Sequence, residues 1–166
     1  QFALLAFILV TFQTDLSSQI RTWALTTSGS WDVAANWTGN NIPNSPAESA
    51  VLGGSSNYTV EFDLLSTSID DLVTNNVNAH LLLNPDLTNT ALIVANGFTN
   101  KGTISLNSNS TLNTNLQVLA GDLINDGTIN FGGTSISSLT QRKLISDLIN
   151  NGIVNVNQDA QLSKVN

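Results

Sequence analysis

The sequence predicts an all-β protein, a parallel β-helix (β-solenoid) with about 25 residues per coil and a tryptophan-rich cap at its N-terminal end. Three observations support this fold class. The motif Asn-x-Gly occurs three times at constant spacing, with its glycines at positions 102, 127 and 152. Apolar and polar residues alternate after each glycine, as in a half-buried strand. All three tryptophans precede this array, and a fixed period of this length is typical of solenoid proteins.

The repeated motif predicts how successive coils align. Its copies occupy residues 98–106, 123–131 and 148–156. A single copy is too short to bury its apolar side chains, but strands stacked about 4.8 Å apart would bury them against the next copy. We therefore expect two internal ladders of equivalent side chains. They are Ile104, Ile129 and Val154, and Leu106, Phe131 and Val156.

Residues outside the motif refine this prediction. A weaker copy at residues 73–81 has Val77 in place of the glycine, which predicts an irregular first coil. Leu119 and Leu144 are also one period apart, so we expect the rest of each coil to keep the same register. An ordinary β-sandwich is the alternative fold, and the constant spacing argues against it. A leucine-rich repeat is disfavoured because its leucine pattern is missing.

The asparagines and glycines of the motif have expected structural roles. Gly102, Gly127 and Gly152 are expected to provide backbone turns with positive φ, a conformation that other residues adopt at a cost. Stacked asparagine side chains can form an amide ladder from coil to coil, and the alternative is that each asparagine caps its own turn. The asparagines concerned are Asn75, Asn100, Asn125 and Asn150.

The composition limits the classes of partner. The 166 residues contain 5 Lys and Arg against 12 Asp and Glu, which gives a formal net charge of −7. Nucleic-acid binding is therefore not expected, because it depends on clustered basic side chains. The sequence has no cysteine, so neither a disulfide framework nor a thiolate metal site is expected. The abundance of Asn, Ser and Thr beside Leu, Ile and Val favours a β-rich extracellular protein.

The N-terminal stretch predicts the domain order and the location of the protein. Residues 2–12 form an apolar run of 11 residues, whereas a membrane-spanning helix needs about 20. The run matches the core of a secretory signal peptide, and a buried strand is the alternative. We therefore predict a partial signal peptide at 1–18, a cap at 19–64 and solenoid repeats at 65–166 that continue in a longer protein. The mature chain is expected to be secreted or on the cell surface, without a membrane span.

The tryptophans lie in a distinctive segment. Residues 29–37 read Gly-Ser-Trp-Asp-Val-Ala-Ala-Asn-Trp, and the pair Ile42-Pro43 and the run Tyr58-Thr59-Val60 follow. This segment resembles the opening module of large secreted bacterial β-helix proteins of the autotransporter-like and adhesin-like kind. The resemblance extends over most of residues 23–156, and it implies a cap followed by the first coils of a surface protein.

A cap at this place also has a physical basis. The first coil of a solenoid exposes the end of the core and a strand edge, and a compact aromatic module covers both. Trp23, Trp31 and Trp37, with Asn36 beside them, are the residues expected to build it. The alternative is that the tryptophans form an exposed platform on which sugars stack.

Few residues suggest chemistry. Asp122 and Asp147 are one period apart and should be stacked neighbours, where a bound Ca²⁺ would relieve their repulsion. The alternative is that both are solvated and screened. His80, the single histidine, has no partner suited to catalysis near it in the sequence and is expected to be an ordinary strand residue. No other cofactor is expected.

The function expected from these observations is structural or adhesive. The coils would form a stiff rod of a secreted or cell-surface bacterial protein, without catalysis in this fragment. Its partner would be an unidentified surface ligand, either a glycan or a host or cell-surface protein. The alternative is a polysaccharide-degrading β-helix enzyme, a lyase or glycoside hydrolase, with its active site in coils outside this sequence. An ice-binding surface is disfavoured because Ile153 interrupts the row of Thr103 and Thr128.

Overall fold

The computed structural model describes residues 18–109, 111–134 and 140–164, which form strands and two short 3₁₀ helices, Ala34–Asn36 and Thr38–Asn40. The strands in chain order are β1 (Gln19–Thr22), β2 (Gly29–Ser30), β3 (Glu48–Leu52), β4 (Tyr58–Phe62), β5 (Thr67–Ile69), β6 (Leu72–Thr74), β7 (Ala79–Leu83), β8 (Thr90–Val94), β9 (Phe98–Asn100), β10 (Thr103–Asn107), β11 (Thr114–Asn125), β12 (Thr128–Gly132), β13 (Arg142–Asn150), β14 (Ile153–Val156) and β15 (Ala160–Ser163).

The strands form three lengthwise faces of a parallel β-solenoid of about five turns. Face 1 is the six-stranded sheet of β2, β4, β7, β10, β12 and β14. The nine-stranded sheet supplies the other two faces, because β11 and β13 each pair along two separate stretches. Face 2 contains β5, β8, β15 and the first halves of β11 and β13. Face 3 contains β1, β3, β6, β9 and the second halves of β11 and β13.

The predicted stacking of the three motifs is confirmed. Strands β10, β12 and β14 are immediate parallel neighbours, with Ile104 aligned to Ile129 and Ile129 to Val154. The second ladder, Leu106 to Phe131 to Val156, is also in register. In β10 and β12 the alternating pattern buries the expected side chains, as in paired strands with one face in a core, whereas Val156 of β14 is 58% exposed.

The expectation that the whole coil keeps a 25-residue register is wrong. On face 2, Leu144 aligns with Leu116 rather than with Leu119. Between Gln117 and Asp122, four residues of β11 oppose the single residue Ser146 of β13. Leu119 lies in this bulge and is exposed. Register is enforced only where side chains enter the core, so the corners between faces can take up extra residues.

The tryptophans form a buried aromatic cluster at the N-terminal end. Trp23, Trp31 and Trp37 are at most 5% exposed, which rules out the alternative of a sugar-stacking platform. The ring centroids of Trp31 and Trp37 are 4.7 Å apart, and those of Trp31 and Phe62 are 5.2 Å apart. Each indole donates its N–H to a backbone carbonyl, as that of Trp37 does to Trp31 O at 2.8 Å. The cluster thus covers the core end without leaving an indole N–H unsatisfied.

Asn36 holds the loop that carries this cluster. Its Nδ2 donates to Ser30 O at 2.8 Å, and its backbone carbonyl accepts from Ala24 N at 2.8 Å. A Cβ at Gly29 would lie 2.8 Å from Asn36 Nδ2, so a side chain there would displace this amide from its hydrogen bond to Ser30 O.

Strands β1 to β4, from the segment predicted as a cap, pair within the same two sheets as the later coils. The aromatic cluster therefore lies at the end of a continuous stack. The predicted signal peptide at residues 1–18 lies outside the described residues except for Ser18. Within the described ranges, no helix has the length and apolar character needed to cross a membrane.

Candidate functional site

The amide ladder joins three consecutive coils. Asn100 Nδ2 donates to Asn125 Oδ1 at 2.8 Å, and Asn125 Nδ2 donates to Asn150 Oδ1 at 2.7 Å. The two roles expected for these residues coexist, because Asn100 Nδ2 also lies 3.3 Å from Gly102 O in its own turn. The expectation for Asn75 is wrong: Thr74 aligns with Asn100 and donates to its Oδ1 at 3.0 Å.

The glycines of the motif are required for a different reason than expected. Gly102, Gly127 and Gly152 do not have positive φ. A Cβ at Gly127 would lie 2.1 Å from Gly102 O, and one at Gly152 would lie 2.1 Å from Gly127 O. Each glycine therefore accommodates the carbonyl oxygen of the preceding coil. The ladder and this glycine column explain the repeated motif as a stacking device rather than as a reactive site.

Face 3 carries a row of outward-facing β-branched residues, which we call the β-branched stripe. The aligned residues are Val51, Val73, Thr99, Ile124 and Ile149. Val73 is 36% exposed and Ile149 is 45% exposed, and the other three are partly exposed. One apolar or methyl-bearing side chain per coil, repeated about every 4.8 Å, makes a continuous linear surface.

Two adjoining hollows follow the stripe. One of about 330 Å³ lies beside Asp71, Val73 and Lys101, and one of about 320 Å³ lies beside Thr99 and Asp122. Gly97 lines both hollows. A Cβ at Gly97 would meet the backbone N and O of Asp122 at 2.6 Å, so close coil packing excludes any side chain there. The hollows combine apolar walls with a few polar groups, as ligand-binding clefts commonly do.

The predicted carboxylate pair lies at the edge of this face. Asp122 and Asp147 are stacked neighbours, as expected from their spacing. Lys164 Nζ lies 3.3 Å from Asp147 Oδ1, which is ion-pair distance without hydrogen-bond geometry. Among the described residues, no group of three or more His, Cys, Asp or Glu side chains could hold a metal ion. The predicted calcium site consists of only two carboxylates, so this finding does not test it, and it stays a prediction.

A second groove, which we call the aspartate groove, lies near the turns that follow β4 and β7. It has a volume of about 290 Å³ and is lined by Asp32, Asp63 and Asp86 together with Leu64, Leu65, Leu87 and Thr88. Burial raises the pKa of Asp63, and repulsion from Asp32, Glu61 and Asp86 raises it further. No sequence pattern marks this cluster, because its members are not separated by the 25-residue period. A carboxyl group whose pKa is raised by burial and by neighbouring carboxyl groups is a candidate for acid–base chemistry.

His80 has a serine partner that sequence reasoning also missed. His80 Nε2 lies 2.8 Å from Ser105 Oγ, and its Nδ1 lies 3.5 Å from Thr59 Oγ1. Burial lowers the pKa of His80. Ser105 is only 5% exposed and lies within β10, which is paired on both sides. Its neighbouring backbone N–H groups serve the sheet, so this pair acts in packing face 1 rather than as an activated nucleophile.

Arg142 is a buried structural residue. It is 1% exposed and donates to three backbone carbonyls, those of Ser108, Gly132 and Asp159. Burial lowers the pKa of its guanidinium. These carbonyls belong to three successive coils, so one side chain ties their corners together.

Comparison with known proteins finds no family model, curated protein or solved structure that matches this chain.

Proposed function

We propose that this chain is a structural and adhesive region of a secreted or cell-surface bacterial protein, and that it binds a surface glycan along face 3. The observation that carries the proposal is the β-branched stripe with its two adjoining hollows. A parallel solenoid is stiff because every coil is bonded to its neighbours, which suits a surface rod. The resemblance of residues 23–156 to adhesin-like proteins supports the same role.

The chemistry of face 3 suits a glycan chain. The C–H faces of sugars pack on apolar side chains such as Val73 and Ile124, while sugar hydroxyl groups need hydrogen-bond partners. Asp71, Thr99 and Asp122 provide carboxylate and hydroxyl oxygens beside the apolar row. The two adjoining hollows would engage neighbouring sugar units of one chain at the same time and increase avidity.

A glycan array read with fluorescently labelled protein tests this proposal. The variant V73K/I124K places two charges on the stripe, and its matched control S68K/Q117K places two charges at partly exposed positions of face 2. We expect wild type and control to bind the same glycans and the stripe variant to bind at least about 10-fold more weakly, a loss of about 1.4 kcal/mol. Absence of glycan binding by the folded wild type, or an equal loss in the control, would refute it.

A second candidate function is cleavage of a glycosidic bond in the aspartate groove. The raised pKa of Asp63 beside Asp32 and Asp86 favours it. Glycoside hydrolysis uses one protonated and one ionised carboxyl group. Release of reducing ends from a panel of polysaccharides, measured for wild type and D63N, tests it. Activity that D63N abolishes while Asp122→Asn retains it supports cleavage there, and no activity on any substrate argues against it.

A further inference from the structure

The two sides of the β-branched stripe differ in charge. Strand alignment places an acidic row along one side, and its members on successive coils are Asp71, Gly97, Asp122 and Asp147. The row along the other side consists of Asn75, Lys101, Asp126 and Asn151. One side of the stripe therefore carries only negative charge, whereas the other carries one charge of each sign.

Two carboxylates of the acidic row have no protein partner. Asp147 lies at ion-pair distance from Lys164. Among the described residues, no hydrogen bond or ion pair involves the side chains of Asp71 and Asp122. Asp122 is exposed and Asp71 is partly exposed, and each of them lines one of the two hollows. These two carboxylates are therefore available to a ligand.

Gly97 makes a gap in the acidic row between these carboxylates. A Cβ at Gly97 would lie 2.6 Å from the backbone N and O of Asp122, so the packing of the coils keeps the gap free of any side chain. Both hollows extend to Gly97. Asp71 and Asp122 belong to the coils before and after it, so their backbones are about two strand spacings, or roughly 10 Å, apart. A group that enters the gap from the stripe has one carboxylate on each side.

The stripe gives a bound sugar chain its direction. It presents one side chain per coil, about 4.8 Å from the next, and one unit of an extended β-1,4-linked chain is close to this length. Successive units of a chain parallel to the solenoid axis would pack on Val73, Thr99 and Ile124. The unit on Thr99 would then have the gap at Gly97 beside it, because both residues line the same hollows.

We propose that face 3 selects a linear β-1,4-linked glycan with free amino groups, and that a protonated amine enters the gap at Gly97 between Asp71 and Asp122. This inference rests on the proposed glycan binding and adds the class of sugar. An ammonium group forms charge-assisted hydrogen bonds with carboxylates, which are stronger than those of a neutral hydroxyl group. Uronic acid and sulfated chains are disfavoured, because the acidic row and the net charge of −7 repel them.

Calorimetric titration of the full chain with three oligomers of equal length tests this inference. The oligomers are β-1,4-linked glucosamine, its N-acetylated form and β-1,4-linked glucose, in mildly acidic buffer in which the sugar amines are protonated. We expect the glucosamine oligomer to bind at least about 5-fold more tightly than the other two, as suits partly exposed ion pairs. At about 1 M salt, where the Debye length is about 3 Å, this preference should disappear while the neutral oligomers bind as before.

The variant D71N/D122N should bind all three oligomers with the affinity of wild type for the glucose oligomer. Its matched control, E61Q/D159N, removes the same charge from exposed positions in β4 and before β15, and it should keep the preference.

Equal affinity of folded wild type for the glucosamine and glucose oligomers would overturn this inference and leave the proposed glycan binding intact. An equal loss of preference in the control would also overturn it, because net charge rather than the gap would then select the sugar. If folded wild type bound none of the three, the proposed function would fail on these glycans and this inference with it.

Discussion

Replacing Gly127 with alanine should destabilise the protein, although the same change in an ordinary strand is stabilising by about 0.5–1 kcal/mol. The added methyl group would lie 2.1 Å from Gly102 O and 2.8 Å from Lys101 C, whereas ordinary contact begins near 3.4 Å. The two coils would have to separate by roughly 1 Å, an overpacking that costs about 1–3 kcal/mol. Separation would also lengthen the hydrogen bond from Thr128 N to Gly102 O, now 2.9 Å, at a cost of about 1 kcal/mol.

After the gain from Gly→Ala is subtracted, the expected net loss for G127A is about 1–3.5 kcal/mol, which corresponds to a fall in melting temperature of roughly 3–10 °C. Circular dichroism during thermal and urea unfolding measures it. Gly132→Ala, at the far end of β12, which follows Gly127, is the matched control, because its methyl group would meet only the flexible side chain of Asn107, at 3.2 Å. A fall for G127A no larger than that for G132A would refute the argument that backbone proximity selects the glycines.

Three other variants test the remaining structural claims. Asn125→Leu removes three hydrogen bonds of the ladder, the one from Asn100 Nδ2 and those to Asn150 Oδ1 and Ile153 O, and should cost about 2–4 kcal/mol in urea denaturation. A loss below about 1 kcal/mol would mean that the ladder is not a main source of stability. Arg142→Met removes donors from three carbonyls and should cost about 2–4 kcal/mol, so a neutral or stabilising effect would contradict its role as a tie between coils. Because burial lowers the pKa of His80 in the folded state, the unfolded state binds the proton more tightly, and stability should fall as pH drops below the ordinary histidine pKa of about 6.5. His80→Gln should flatten this dependence between about pH 7.5 and 5, and an unchanged slope would show that other groups cause it.

The sequence predicted face 1 well because two independent patterns coincide there. The alternation after each glycine identifies the inward residues, and the 25-residue spacing aligns Ile104 with Ile129 and Val154. The role predicted for the glycines, a turn with positive φ, is wrong, because close backbone approach selects the same residue type. Asn75 was assigned to the ladder in place of Thr74 because the step between these earlier coils is 26 residues.

The candidate sites were harder to predict because they depend on corners of variable length. Asp32, Asp63 and Asp86 converge across turns whose lengths differ from coil to coil, so no fixed period marks them. His80 and Ser105 are one period apart, but His80 aligns with Thr103, and its contact with Ser105 is diagonal. The stripe on face 3 was visible only after the strands of that face had been placed in register.

The stacking of coils in sequence order has a mechanical consequence. Strand β1 lies at one end of the stack and β15 at the other, so tension between them would load the bonds between neighbouring coils one after another. Each detached coil of about 25 residues would lengthen the chain by roughly 80 Å. A single molecule held between a surface and a cantilever should therefore extend in a series of small, nearly equal steps, which lets such a rod absorb shear gradually.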